Sequence, residues 1–314
     1  MLRVLMEVLL PVALVAAVGY VLRMRFALDQ ATLNRVVIYG MNPALIFTAL
    51  LAADLRGAGA LRMLALSVGG AVAMGLIAAA VGLALGLRGG SLSALLLVSM
   101  FMNSGNYGLP VALFAFGEAG FAQALFYFVA QSVMGQTLGV AVAAAGAAAG
   151  AAHSRAGLAR EVAGRVLRMP QIYATAAALL LRATGFTQAT QDGALLGIFR
   201  GLTLLGEATL PMMLLVLGAQ LAGGVVREEP RLVALACTMR LLVSPLVAYG
   251  LGRALGMDDL SLAVGVMLAG MPAAVHTTIT AIEFESRPSL VVATVVASSL
   301  LSLGTLAALL TVVG

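Results

Sequence analysis

The chain has 314 residues, of which 62% are hydrophobic and 10% charged, with a mean hydropathy of +1.07 and a net charge of +5. Soluble domains carry about 25% charged residues, so this composition cannot clothe a globule in polar surface. Long Leu/Ala/Val runs exclude a transmembrane barrel of short alternating strands, and basic residues scattered singly between those runs exclude a nucleic-acid face.

What remains is an all-α polytopic membrane protein. A helix needs about 20 apolar residues to cross the bilayer. Ten segments are candidates, the sixth of them short: 6–22, 33–53, 63–87, 92–115, 120–148, 171–185, 194–222, 231–255, 260–282 and 289–313. The first follows Arg3 like a signal peptide, but Glu7 and Pro11 interrupt it. Arg23 and Arg25 follow with no small-x-small cleavage site, so a retained helix is expected. Span two contains Pro43.

Span four carries Asn103-Ser-Gly-Asn-Tyr-Gly-Leu-Pro110. Pro110 has no N–H and crowds the carbonyl of Asn106, while Gly105 and Gly108 weaken the helix beside it. An unwound stretch with free backbone groups and the amides of Asn103 and Asn106 is expected there. A proline kink serving packing alone is the plain alternative. At membrane depth irregular backbone persists only inside protein or beside a polar cavity. In span five, Gln131 is a mid-membrane amide, either a helix–helix hydrogen bonder or part of a site. Glycine pairs at four-residue spacing, such as Gly82/Gly86, Gly135/Gly139 and Gly252/Gly256, permit close helix approach.

The Arg-rich linker 150–169 divides the chain into halves 1–149 and 170–314, each with five spans. All 18 basic residues are arginines. In a ten-span arrangement the odd-numbered loops hold eleven of them, against six in the even loops and the N-terminus, with Arg240 inside a span. The positive-inside rule then puts the linker in the cytoplasm and both termini outside. Prolines recur across the linker, Pro43 with Pro211 and Pro110 with Pro272. An odd number of spans per half makes the repeats inverted, as in many secondary transporters.

Span seven places Glu207 one turn before Pro211, either relaying protons, pairing with Arg240 or Arg200, or sitting at the headgroups. The single cysteine, Cys237, lies in an apolar run. With one Cys and two His no disulfide, metal site or cofactor is expected. Span nine carries Gly270-Met-Pro-Ala-Ala-Val-His-Thr277, in which Pro272 frees the carbonyl of Leu268. His276, Thr280 and Glu283 form one helical stripe, with Thr277 beside it. An imidazole at that depth reads as a proton carrier, a substrate ligand or a neutral bundle hydrogen bonder. Glu283 reads as a solvated carboxylate or a coupling group.

Asn103 to Pro110, followed by Phe116-Gly117-Glu118-Ala119-Gly120, resembles the N-x-G-N-x-G-L-P…F-G-x-x-G signature of the auxin efflux carrier family, which includes bacterial malate-permease-like proteins. Leu210-Pro211…Leu217-Gly218-Ala219, Met271-Pro272-Ala273-Ala274-Val275 and Ser298 to Leu303 are similar to its later helices. The resemblance implies ten helices in two inverted repeats, related to bile-acid symporter and sodium/proton antiporter folds, with broken helices four and nine. Spans one, two, six and seven would form a scaffold, and three to five with eight to ten an elevator-like transport part. His276 departs from the Asn common in bacterial relatives, and the long central loop of plant members is absent.

The expected function is secondary transport of a small organic anion across a bacterial cytoplasmic (inner) membrane, coupled to protons or uncoupled. Asn103, Ser104, Asn106, Gly108, Pro110, Pro272, His276 and Thr277 would form the binding site. His276, Glu207 and Glu283 are the coupling candidates, and Pro43, Pro110, Pro211 and Pro272 the helix breaks. Lipid is the other partner, and the family allows a homodimer. The alternatives are a sodium-coupled bile-acid-type symporter and an intramembrane Ser104/His276 hydrolase, the latter without a Gly-x-Ser-Gly sequence. No phosphate-binding Gly-x-x-x-x-Gly-Lys loop is present for direct use of ATP.

Overall fold

The computed structural model describes residues 2–53, 59–146, 155–186, 193–223 and 228–313. Arg56 and Arg227, which entered the charge count, and linker residues 150–154 lie outside them. In chain order the helices are α1 (Leu2–Arg25), α2 (Gln30–Ala52), α3 (Gly59–Ala84), α4 (Gly89–Met100), α5 (Ser104–Gly146), α6 (Arg155–Leu167), α7 (Pro170–Ala183), α8 (Gly193–Leu221), α9 (Pro230–Ala254), α10 (Asp259–Ala269), α11 (His276–Glu283) and α12 (Pro288–Val313). No strand ladder occurs among the described residues.

Seven of these, α1, α2, α3, α5, α8, α9 and α12, are long and apolar enough to cross a membrane. Large apolar side chains such as Leu14, Leu61, Leu76, Leu204 and Leu246 stand exposed all around the molecule. A water-soluble protein would aggregate through such a surface, whereas lipid tails accept it. The protein is a multi-pass membrane protein.

Prolines shape these helices in a regular way. Four π-turns end two residues before a proline: Leu5–Leu9 before Pro11, Val37–Met41 before Pro43, Ser104–Gly108 before Pro110 and Met239–Val243 before Pro245. Proline lacks the N–H for an i→i−4 bond, and its ring strikes the carbonyl four residues back. Widening the preceding turn moves that carbonyl aside while the helix continues. Pro43 is thus absorbed inside α2, and α8 stays helical through Pro211. The sequence led us to expect breaks at both positions, and the backbone runs on through them.

Contacts sort the helices into two groups. α8 packs on α1 and α2, and α7 packs on α2. The other group joins α3 to α4, α5 and α9, α10 to α5 and α9, and α12 to α4 and α9. The groups meet where α8 touches the first turn of α5 and where α1 touches α5.

The turns leading into α4 and α10 have the same construction. Gly86 and Gly256 both adopt a left-handed conformation, with φ of 76° and 62°. Leu87 N–H donates to the Gly82 carbonyl at 2.8 Å, and Met257 N–H to the Gly252 carbonyl at 3.1 Å. Each is the Schellman closure of a helix C-terminus, built on a glycine that tolerates positive φ.

Candidate functional site: a crossing of two broken helices

α4 stops at Met100 and α5 begins at Ser104, while α10 stops at Ala269 and α11 begins at His276. The two gaps lie side by side. Met102 and Ala273 form an isolated antiparallel bridge, in which Asn103 N–H donates to the Pro272 carbonyl at 2.8 Å and Ala274 N–H to the Phe101 carbonyl at 3.0 Å. Each break therefore satisfies the backbone groups that the other frees, which is what irregular chain at membrane depth demands. Ala273 N–H adds a bond to the Ser298 hydroxyl of α12 at 3.1 Å.

The first break lies earlier than the proline suggested. The chain unwinds over Phe101–Asn103, where Asn103 (φ −76°, ψ 62°) makes an inverse γ-turn closed by Ser104 N–H on the Met102 carbonyl at 2.8 Å. Pro110 lies in the opening turns of α5, behind its π-turn. Of the four expected breaks, Pro272 alone lies in non-helical backbone. Further along, Gly117 at φ 64° and ψ −164° interrupts α5 inside the Phe116–Gly120 motif.

A cavity of about 430 Å³ opens beside the crossing. Asn103, Ser104, Asn106 and His276 line it, whereas Gly108, Pro110, Pro272 and Thr277 are not in its wall. Thr277 is buried and its hydroxyl donates to the Ala274 carbonyl, which tightens the start of α11. Gly108 packs against Leu268, closing the crossing from behind. Glu207 is exposed on α8, away from the cavity, and no ion pair to it occurs among the described residues. Glu283 joins Arg165 of α6 in an ion pair, and Arg165 also holds Glu161 at 2.7 Å.

The polar character of this wall is unusual for a protein interior. Asn42 Oδ1, Asn103 Nδ2, Gln131 Oε1, Gln220 Oε1 and His276 Nε2 are all buried and lack a hydrogen-bond partner among the described residues, and all five residues belong to the cavity wall. Buried polar atoms ordinarily have partners, and leaving one without costs about 1–3 kcal/mol. Five residues with such atoms gather around one cavity. Gln131 Nε2 donates to the Met100 carbonyl at 3.2 Å, capping the end of α4, and to the Met102 sulfur.

His276 is fixed by its surroundings. Its ring sits 5.9 Å from that of Phe101, and a Cβ placed on Gly135 would fall 2.7 Å from Nε2. No hydrogen bond joins it to Ser104 among the described residues. The charge in the wall is all of one sign: Arg165 and Arg168 contribute, and no carboxylate does. Arg165 is committed to Glu161 and Glu283, whereas Arg168 has no ion pair among the described residues. The positively polarised starts of α5 and α11 also lie in this wall. Sequence reasoning missed the two arginines because they belong to the linker, and missed Asn42 and Gln220 because each is a lone amide beside an apolar run.

Residues 4–310 match the family described as Membrane transport protein. The chain belongs to that family, the auxin efflux carriers. It is 30% identical over 301 residues to an uncharacterized transporter of Methanothermobacter thermautotrophicus, covering 95% of this chain and 94% of that one. It is 26% identical over 306 residues to an uncharacterized transporter of Methanocaldococcus jannaschii, covering 95% of both.

Proposed function

We propose that this carrier is a secondary transporter of a small organic anion, a carboxylate such as malate or an auxin-like acid. The observation that carries the reading is the cavity wall, where Asn103 and His276, whose Nδ2 and Nε2 have no hydrogen-bond partner among the described residues, stand with Arg168 and no carboxylate lines the cavity. The Asn103 amide, the His276 imidazole and the two helix starts supply donors for an anion, and Arg168 attracts it. The volume falls in the range of small-ligand sites, about 300–1,000 Å³.

The architecture we propose is ten spans in two inverted five-helix repeats, 1–149 and 170–314, joined by the linker 150–169. Support comes from the matched Schellman turns at Gly86 and Gly256 and from the paired breaks. The helix group α1, α2, α7 and α8 would be the scaffold, and the other group would carry the cavity across the membrane as an elevator. The linker residues in the wall, together with the arginine distribution, support an inward-facing state with both termini outside. Coupling would be to protons through His276, or absent.

The test is uptake of labelled malate and indole acetate into proteoliposomes, with and without an imposed pH gradient and with sodium or choline outside. Saturable uptake of an anion is expected, stronger with an inward proton gradient. Failure of every anion in vesicles holding folded protein would overturn the reading, and strict sodium dependence would replace it with a bile-acid-type symporter.

A further inference from the structure

Among the described residues, one arginine is buried inside a span, and it has no acidic partner there. Arg240 is 0% exposed and lies in the π-turn that precedes Pro245 in α9. Its guanidinium donates to the Ser99 carbonyl at 2.6 Å, to the Ala269 carbonyl and to the Ser244 hydroxyl. Ser99 is the next-to-last residue of α4 and Ala269 the last of α10. One side chain thus grips the C-terminal ends of both helices that break at the crossing.

Those ends present free carbonyls and the negative pole of the helix dipole. A charge at membrane depth is costly and is usually there for a purpose. Hydrogen bonding alone does not require it, because a neutral amide could donate to the same oxygens. Backbone carbonyls at helix C-terminal ends are also the oxygens with which broken-helix transporters hold a monovalent cation, and here the Ser244 hydroxyl of α9 adds a third. The starts of α5 and α11 face the cavity, so the crossing is polarised: positive helix ends toward the cavity, negative ends toward Arg240.

We infer that the Arg240 guanidinium is a tethered cation, occupying the place between the α4 and α10 ends that a free monovalent cation would otherwise fill. The crossing then keeps its geometry without any bound ion, and removing the side chain opens a cation site. The inference goes beyond the anion-transport reading and does not depend on its substrate.

The experiment reads thermal unfolding of purified wild type, Arg240→Ala and Arg240→Gln in choline, sodium or guanidinium chloride at about 50 mM, since a ligand that binds only the native state raises the midpoint. The wild type is expected to melt at the same temperature in all three salts. Arg240→Ala should melt lower in choline and recover by several degrees in guanidinium or sodium. Should it fail to fold, Arg240→Gln, which keeps donors but no charge, should show the same cation response. Either variant matching the wild type in choline, or staying low in every salt, would overturn the inference. Because the readout is stability, its failure leaves the uptake result untouched, and a failure of uptake leaves this result standing.

Discussion

The backbone N–H of Asn103 and the carbonyl of Pro272 meet at 2.8 Å, joining two segments that are 169 positions apart in the chain. That bond orients Asn103 so that its side-chain Nδ2 stays buried, unpartnered and in the cavity wall. Asn103→Ala therefore removes a donor from the site without breaking a bond of the fold. A hydrogen bond to a charged group is worth about 1.5–3 kcal/mol, so KM for the anion should rise about 10- to 100-fold. Thermal unfolding of the variant should stay close to wild type.

His276 is the imidazole in that wall, and its Nε2 has no hydrogen-bond partner among the described residues. His276→Gln keeps a polar side chain of similar reach but cannot carry a proton at neutral pH. Uptake by this variant is expected to continue and to lose its response to an imposed pH gradient. A response equal to that of wild type would remove the proton role from this residue.

Arg168 is exposed at the cavity and has no ion pair among the described residues. Its attraction for an anion acts partly through water, so Arg168→Gln should raise KM by no more than about fivefold, the equivalent of 1 kcal/mol. The difference between variant and wild type should shrink as salt shortens the screening length. Uptake measured at low and high ionic strength checks both statements.

Stability of the first helix group should hinge on the crossing of α1 and α8. A Cβ on Gly218 would overlap the Ala16 carbonyl, and one on Gly19 the Leu215 carbonyl, so the two backbones touch. Gly218→Ala forces them apart and should cost about 1–3 kcal/mol or more. Gly304 of α12 has open space around it, and Gly304→Ala is expected to stabilise by up to about 1 kcal/mol through helix propensity. Melting curves of the two variants should move in opposite directions.

The loop before α9 carries an acid-sensitive clasp. The Ser289 hydroxyl and the Arg287 guanidinium each lie 2.6 Å from the Glu228 carboxylate, and they hold its pKa down from the ordinary 4.5 to about 2. A depressed carboxylate adds stability above its unfolded pKa and loses it as pH falls through the folded one. The melting temperature should therefore decline as pH drops from about 4.5 toward about 2. Glu228→Gln should flatten that decline, which a melting series across this range would reveal.

The two halves of the crossing were legible to different degrees. Asn103-to-Pro110 and Gly270-to-Thr277 could be singled out because glycine and proline weaken a helix and a lone amide is costly in lipid, so an apolar span gains nothing from gathering them. Their side-by-side pairing could not, since a backbone bond between Asn103 and Pro272 leaves no mark on either local pattern. Proline was also read too simply. A π-turn can absorb the lost N–H, so Pro43 and Pro110 sit within helices and the unwinding moved to Phe101–Asn103.

The sequence by itself determined that this is a helical membrane protein of the auxin efflux carrier family, because hydropathy and short motifs are local properties that the bilayer and the backbone act on directly. Only the tertiary structure decided which polar groups converge. Arg168 from the linker, Asn42 and Gln220 from α2 and α8, and the grip of Arg240 on two distant helix ends all depend on packing between segments far apart in the chain. Such packing satisfies buried charges and amides across space, where spacing along the chain carries no record of it.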